Sequence, residues 1–231
     1  LEAEGLVRHF ASGGSRLEVL RGVDLRVAPG EIVAVVGPSG SGKSTLLHCL
    51  GGLDRPTAGT ARVEGIDLWD LADADRARAR NRRIGFVFQF HYLLSDFDAR
   101  ENVMLPMLIA GVERSRAEAR ARQLLAEVGL AARERHAPSE LSGGEQQRVA
   151  VARALANGPA VVLADEPSGN LDARTSEALH DLLARLRAER GATFLIATHD
   201  AAIARRADRV VEILDGRLAT ANRAAVVGAE S

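Results

Sequence analysis

Apolar positions along the chain fall into two rhythms. Val23-Asp24-Leu25-Arg26-Val27 alternates apolar and polar residues with period two, which predicts a half-exposed antiparallel strand. Ala11-Ser12-Gly13-Gly14-Ser15 before it reads as a loop, and Ala28-Pro29-Gly30 as a turn. Thr60 to Val63, followed by the turn residues Glu64-Gly65, predicts another short strand. Four further runs are short and almost continuously apolar: Glu31–Val36, Ile84–Gln89, Ala160–Ala164 and Ala192–Thr198. Runs of that kind predict strands covered on both faces, as in a parallel sheet. Val210 to Leu214, then Asp215-Gly216 and Leu218, predicts a closing hairpin.

Helical signals lie between the strands. Residues 70–83, rich in Ala, Asp and Arg, predict an exposed helix whose arginines form a solvated face beside Asp70, Asp73 and Asp75. Ser115-Arg116-Ala117-Glu118 fits a capping box, opening a helix that runs to about Val128 and stops at Gly129. Asp172 is expected to cap a helix from about Ala173 to Ala188. Residues 90–112 are apolar without a clear period, which fits both a local core and a docking surface for another chain. The expected fold is α/β: a single domain over 1–231. Residues 1–90 and 141–231 would form a core with an antiparallel β subdomain, and 91–140 a helical subdomain.

Composition narrows the function. With 231 residues, 46% hydrophobic and 26% charged, the chain has the make-up of a soluble globular protein. A net charge of -1 offers no overall basic field for nucleic acid. The single cysteine, Cys49, excludes an intramolecular disulfide, and its apolar setting predicts a buried, inert thiol. No apolar run approaches the roughly 20 residues needed to span a bilayer. The N-terminus carries Glu2, Glu4 and Arg8 where a signal peptide would be apolar. The expectation is a cytosolic protein, or one held at a membrane through something else.

The chemistry starts at Gly37-Pro38-Ser39-Gly40-Ser41-Gly42-Lys43-Ser44-Thr45, which fits the phosphate-binding loop G-x-x-x-x-G-K-[ST]. A buried strand precedes it and a helix follows, which is the context the motif needs. Its glycines let backbone N–H groups curl around a phosphate, and the helix N-terminus adds free donors and a positive dipole end. Lys43 would reach the β- and γ-phosphates, and Ser44 would offer its hydroxyl to Mg²⁺. A nucleoside triphosphate is therefore the expected ligand. Leu141-Ser142-Gly143-Gly144-Glu145 opens a second helix with a capping box between Ser142 and Glu145. Two glycines in a first turn cost about 1 kcal/mol each relative to Ala, so a ligand approaching bare N–H groups is expected there too. Asp165 and Glu166 end a buried strand, where one carboxylate can hold Mg²⁺ through water and its neighbour can activate a water. Gln89 and His199 stand at the C-terminal ends of two more such strands, where open α/β sheets bind ligands.

In that order and spacing, these residues resemble the nucleotide-binding subunits of ATP-binding-cassette (ABC) transporters from end to end. The resemblance makes Gly37–Thr45 the Walker A loop, Gln89 the Q-loop and Leu141–Glu145 the signature. Val161–Asp165 is then Walker B, Glu166 the catalytic glutamate, Ser168–Asp172 the D-loop with Asp172, and His199 the switch histidine. Phe10 stands where the family's adenine-stacking aromatic falls, although tyrosine is commoner there. The fold implied is a P-loop ABC nucleotide-binding domain. Two copies would pack head to tail, each ATP lying between one Walker A and the other chain's signature. Ser44, Gln89 and Asp165 would hold Mg²⁺, and Lys43, Gln89, Glu166 and His199 would serve hydrolysis.

A closer resemblance covers residues 82–111, including Phe88-Gln89-Phe90-His91-Tyr92-Leu93-Leu94, Asp96-Phe97 and Glu101-Asn102-Val103 through Pro106. With Ala164–Asp172, it is similar to the ATPase subunits of bacterial lipoprotein-releasing systems. Ser95 departs from an expected proline, and Ser168 from an expected threonine. The resemblance implies a peripheral motor on the cytoplasmic face of the inner membrane, with permease subunits docking around Gln89–Pro106. Relatives acting in macrolide efflux or cell division share Gly169-Asn170-Leu171-Asp172, so the Gln89–Pro106 segment carries the distinction. A soluble ABC ATPase of DNA repair would need a long coiled-coil insertion after Gln89, and only about one helical lobe fits there.

Overall fold

The computed structural model describes residues 1–12 and 15–220. Gly13 and Gly14 of the expected loop, and residues 221–231, lie outside the described residues. The alternating N-terminal stretch forms an antiparallel pair, β1 (Glu2–Ser12) and β2 (Ser15–Arg26), with Leu6 opposite Val23 and Phe10 opposite Leu17. The strands extend into the segment read as a loop, through Ser12 and from Ser15. After β3 (Ile32–Val36) the chain turns through the glycine-rich loop into α1 (Lys43–Leu50). It then adds β4 (Ala58–Val63) and β5 (Ile66–Asp67) to complete a four-stranded sheet of order β2-β1-β4-β5.

Next come α2 (Asp73–Arg83), β6 (Ile84–Phe88), α3 (Ala99–Ile109), α4 (Arg114–Glu127) and α5 (Gly143–Ala154). The chain continues as β7 (Val161–Asp165), α6 (Ala173–Arg190), β8 (Phe194–Ala197), α7 (Ala201–Arg206), β9 (Arg209–Leu214) and β10 (Arg217–Thr220). The six-stranded sheet has the order β10-β9-β3-β8-β7-β6, parallel except for the edge hairpin of β9 and β10.

All five residues of β3 are buried, because the sheet is covered on both faces. Successive side chains of a strand point to opposite faces. Val33 and Val35 accordingly join a core with Leu46 and Leu50 of α1 and Leu6 and Leu20 of the antiparallel sheet. Ile32, Ala34 and Val36 join another with Val103, Leu124, Val151 and Leu183. Leu46 and Leu50, both wholly buried, contribute about 2 kcal/mol each by leaving water. Cys49 lies in the first core, and burial, with Asp54 nearby, pushes its thiol up to about 12. Iodoacetamide at pH 8 should therefore leave native Cys49 unmodified and alkylate it fully in denaturant. Fast alkylation of the folded chain would contradict this burial.

One helix start differs from expectation. The cap of α4 is Glu113, whose carboxylate accepts from the backbone N–H groups of Ser115 and Arg116. Ser115 lies inside the first turn, and Glu118 pairs instead with Arg100 and Arg122. A carboxylate two residues earlier starts the helix sooner, takes the donors of that earlier turn and brings a charge that the helix dipole favours. Residues 90–112 divide between core and surface. Val103, Met104 and Met107 are buried, whereas Phe90, Tyr92, Leu94 and Ile109 are exposed.

Candidate active site

The phosphate-binding loop joins the end of β3 to α1. Gly42 caps α1 at φ 108, a left-handed conformation that side chains resist, and it provides no side-chain cap. The first N–H groups of α1 thus meet no capping side chain from Gly42, as anion binding at a helix start requires. Lys43 is buried, and its Nζ donates to the carbonyls of Gly37 at 2.7 Å and Pro38 at 3.1 Å. Its ammonium is thereby folded back along the loop.

A cavity of about 730 Å³ opens over this loop. Gly37 to Gly40 and Gly42 to Thr45 line it, together with Gln89, Glu166, His199 and Val19. The start of α1 and three separate strand ends thus deliver Lys43, Gln89, Glu166 and His199 to one space. Ser41 belongs to the loop but not to this wall, and its hydroxyl is buried.

Glu166 sits at φ 47, uncommon for a residue with a side chain and worth roughly 1 kcal/mol or more of local strain. Backbone bonds hold it there: its N–H donates to Ala197 O at 2.8 Å, and its carbonyl accepts from Gly169 N at 3.0 Å. The carboxylate meets the His199 ring, with Oε1 3.0 Å from Nδ1. Oε2 accepts from the His199 backbone N–H at 3.3 Å. A carboxylate and an imidazole that both border the cavity are therefore in contact.

Asp165 ends β7 beside Ser44. Burial raises its carboxyl above the ordinary range, opposed chiefly by the hydrogen bond from Ser44. Its Oδ1 is buried without a hydrogen-bond partner. An unsatisfied carboxylate oxygen next to a hydroxyl suits a hard cation that takes oxygen ligands, so these residues fit Mg²⁺. Gln89 completes the wall and is bonded twice to Asn170, once through its side-chain amide and once through its backbone carbonyl. Its Nε2 donates to Asn170 Oδ1 at 3.0 Å, and Asn170 Nδ2 donates to Gln89 O at 3.1 Å.

The second helix start expected to meet an anion stands elsewhere. Ser142 caps α5 by accepting from Glu145 N, and Glu145 accepts in return from Ser142 N at 2.8 Å. None of Leu141, Ser142, Gly143, Gly144 and Glu145 lines the phosphate cavity of the same chain. A Cβ on Gly144 would come within 2.2 Å of Thr175 Cγ2, so close packing inside the chain already demands that glycine. Gly143 meets only Leu171 at 3.8 Å and is the more open of the two. Asp172 caps α6, accepting from Thr175 N at 3.0 Å and its hydroxyl at 2.7 Å, bonds that hold its carboxyl below the usual range. Phe10 is not in the cavity wall, and the Arg8 guanidinium lies 4.3 Å from its ring centre. From the same hairpin it is Val19 that lines the cavity. Sequence reasoning missed Val19, which no motif marks, and the Gln89–Asn170 pair, whose partners are 81 positions apart.

Comparison with known proteins places this arrangement. A family model described as ABC transporter matches residues 20–169, more than half of the chain. A protein of Geobacter metallireducens named lipoprotein-releasing system ATP-binding protein LolD is 56% identical over 218 residues, covering 94% of this chain and 97% of its own. The like-named protein of Bordetella pertussis is 53% identical, covering 94% of each chain. Among solved structures, the ATP-binding cassette MJ0796, as a post-hydrolysis dimer bound to ADP and Pi, matches with a TM-score of 0.86 and 38% identity. That match covers 95% of this chain and 97% of the other. The chain belongs to the ABC transporter family.

Proposed function

We propose that this chain is the ATP-hydrolysing motor of a bacterial inner-membrane ABC transporter that releases lipoproteins towards the outer membrane. The observation that carries the specific cargo is identity above 50%, over 94% of the chain, to proteins named for lipoprotein release. The hydrolytic reading rests on the convergence of Lys43, Gln89, Glu166 and His199 on one cavity. Lys43 and the loop amides would bind the phosphates, and Ser44, Gln89 and Asp165 would hold Mg²⁺. That ion, when bound, would supply positive charge to offset the charge of the phosphates. Glu166 would orient and polarise the attacking water, with His199 beside it on the γ-phosphate side.

The separation of the signature from the phosphate cavity supports a composite site. Ser142 and Gly144 of one copy would face the ATP held by Lys43 of a second, packed head to tail, and Asp172 would lie along that contact. Phe10 would stack on adenine at the outer rim. ATP then contributes free energy only to the closed pair, and loss of the γ-phosphate removes that preference.

No helix among the described residues is long and apolar enough to cross a membrane. Phe90, Tyr92, Leu94 and Ile109 are exposed beside a cavity of about 390 Å³ lined by Phe86, Phe88, Pro106, Ile109 and Arg153. Grouped exposed apolar side chains mark an interaction surface. We place permease docking on that surface, at the cytoplasmic face of the membrane.

The test is to tag the chain, solubilise native membranes in mild detergent and add ATP to what co-purifies. Integral-membrane partners and ATP-dependent release of an acylated lipoprotein are expected. Capture of an efflux or division membrane protein instead would overturn the cargo assignment. Changing Phe90, Tyr92 and Leu94 together to Ser should abolish co-purification with ATP binding intact. Loss of folding in that variant would return these residues to the core.

A further inference from the structure

Gln147 is 0% exposed, on a helix that otherwise buries Val149, Ala150, Val151 and Ala152. A methionine would fill nearly the same volume without an amide to desolvate, so the polar group calls for a separate reason. Its Nε2 donates to Phe88 O at 3.1 Å and to Pro167 O at 2.6 Å. Phe88 immediately precedes Gln89, and Pro167 immediately follows Glu166. The β6–β7 ladder has its last pair at Phe88 opposite Asp165. Just beyond it, one side chain from α5 joins the two segments that carry Gln89 and Glu166.

The third polar contact ties this bridge to the docking surface. Gln147 Oε1 lies 2.6 Å from His91 Nδ1. Both amide N–H groups point to carbonyls, so Oε1 is the acceptor, and this network assigns the proton to His91 Nδ1. His91 stands between the exposed Phe90 and Tyr92. Arg153, further along α5, donates to His91 O and Tyr92 O, each at 2.7 Å.

We infer that Gln147 is a positioning residue for ATP hydrolysis. It sets the separation of Gln89 and Glu166, and through His91 it makes that separation depend on the docking segment. The inference rests on the hydrolytic reading given above. A misplaced base or water-binding group costs rate without costing nucleotide affinity, because the phosphate contacts stay as they were.

The experiment uses the full chain with Mg-ATP, measuring kcat, KM, equilibrium binding of a fluorescent ATP analogue, and thermal melting. Gln147→Met should lower kcat by about tenfold to a hundredfold. Binding of the analogue should stay within about threefold. His91→Leu should lower kcat in the same sense, with no further loss when combined with Gln147→Met. His91→Asn, which keeps an N–H donor near the place of Nδ1, should recover most of that loss. A folded Gln147→Met chain with unchanged kcat would overturn the inference, as would equal proportional losses of kcat and affinity. If Gln147→Met does not fold, the His91 variants decide: His91→Leu at full kcat overturns it. Absence of hydrolysis by the unmodified chain is a different outcome, and it would remove the hydrolytic reading itself.

Discussion

Glu166→Gln is expected to lower ATP turnover by about a hundredfold to ten-thousandfold while leaving nucleotide affinity in place. The amide has the shape of the carboxylate and can keep a hydrogen bond to His199 N, now 3.3 Å from Oε2. What it cannot do is accept a proton from water or carry the negative charge that polarises it. The strained φ of 47 and the Ala197 bond belong to the backbone, so the side-chain change leaves the aim of residue 166 unaltered. Steady-state phosphate release measures the loss, and equilibrium nucleotide binding supplies the control. Turnover at the unmodified rate would remove Glu166 from the role of base.

Lys43→Ala should have the largest effect on binding. The ammonium is buried along the loop and already lies within 3.1 Å of two loop carbonyls, so little side-chain freedom remains to be lost on meeting a phosphate. Removing one partner of a desolvated charge pair costs about 3 kcal/mol, which corresponds to roughly a hundredfold in Kd. The loop amides and the α1 N-terminus remain, so folding should survive, with a melting temperature close to that of the unmodified chain. Calorimetric titration with ATP checks the first expectation and a thermal melt the second. Unchanged affinity would count against the phosphate-loop assignment.

How much could be read from the sequence depended on the range of the interaction. Strands such as β3 and β8 were legible because burial on both faces leaves a short apolar run between turn residues. The phosphate loop was legible because its chemistry needs fixed residues at fixed spacing. The start of α4 differs because two local patterns compete: Ser115 with Glu118, and Glu113 with the N–H groups of Ser115 and Arg116. Gly144 reads as giving a ligand room at bare N–H groups, and the second demand on it, Thr175 packed where its side chain would be, has no sequence signal. That contact joins residues far apart in sequence, and no local rule reaches it. The positive φ of Glu166, the Asn170 partner of Gln89 and the Gln147 bridge are hidden for the same reason. Each is set by segments that meet only once the sheet is assembled. Asp165 was legible as a strand-end carboxylate, but its unsatisfied Oδ1 is a property of packing.

On the proposed function, ATP is closed between two copies of this chain and hydrolysis reopens them. This is tested most directly by sedimentation velocity on Glu166→Gln with and without Mg-ATP. A dimer is expected with ATP, a monomer without it, and a monomer again when ADP replaces ATP. A chain that binds ATP yet sediments as a monomer at every concentration, or a dimer indifferent to nucleotide, would contradict it.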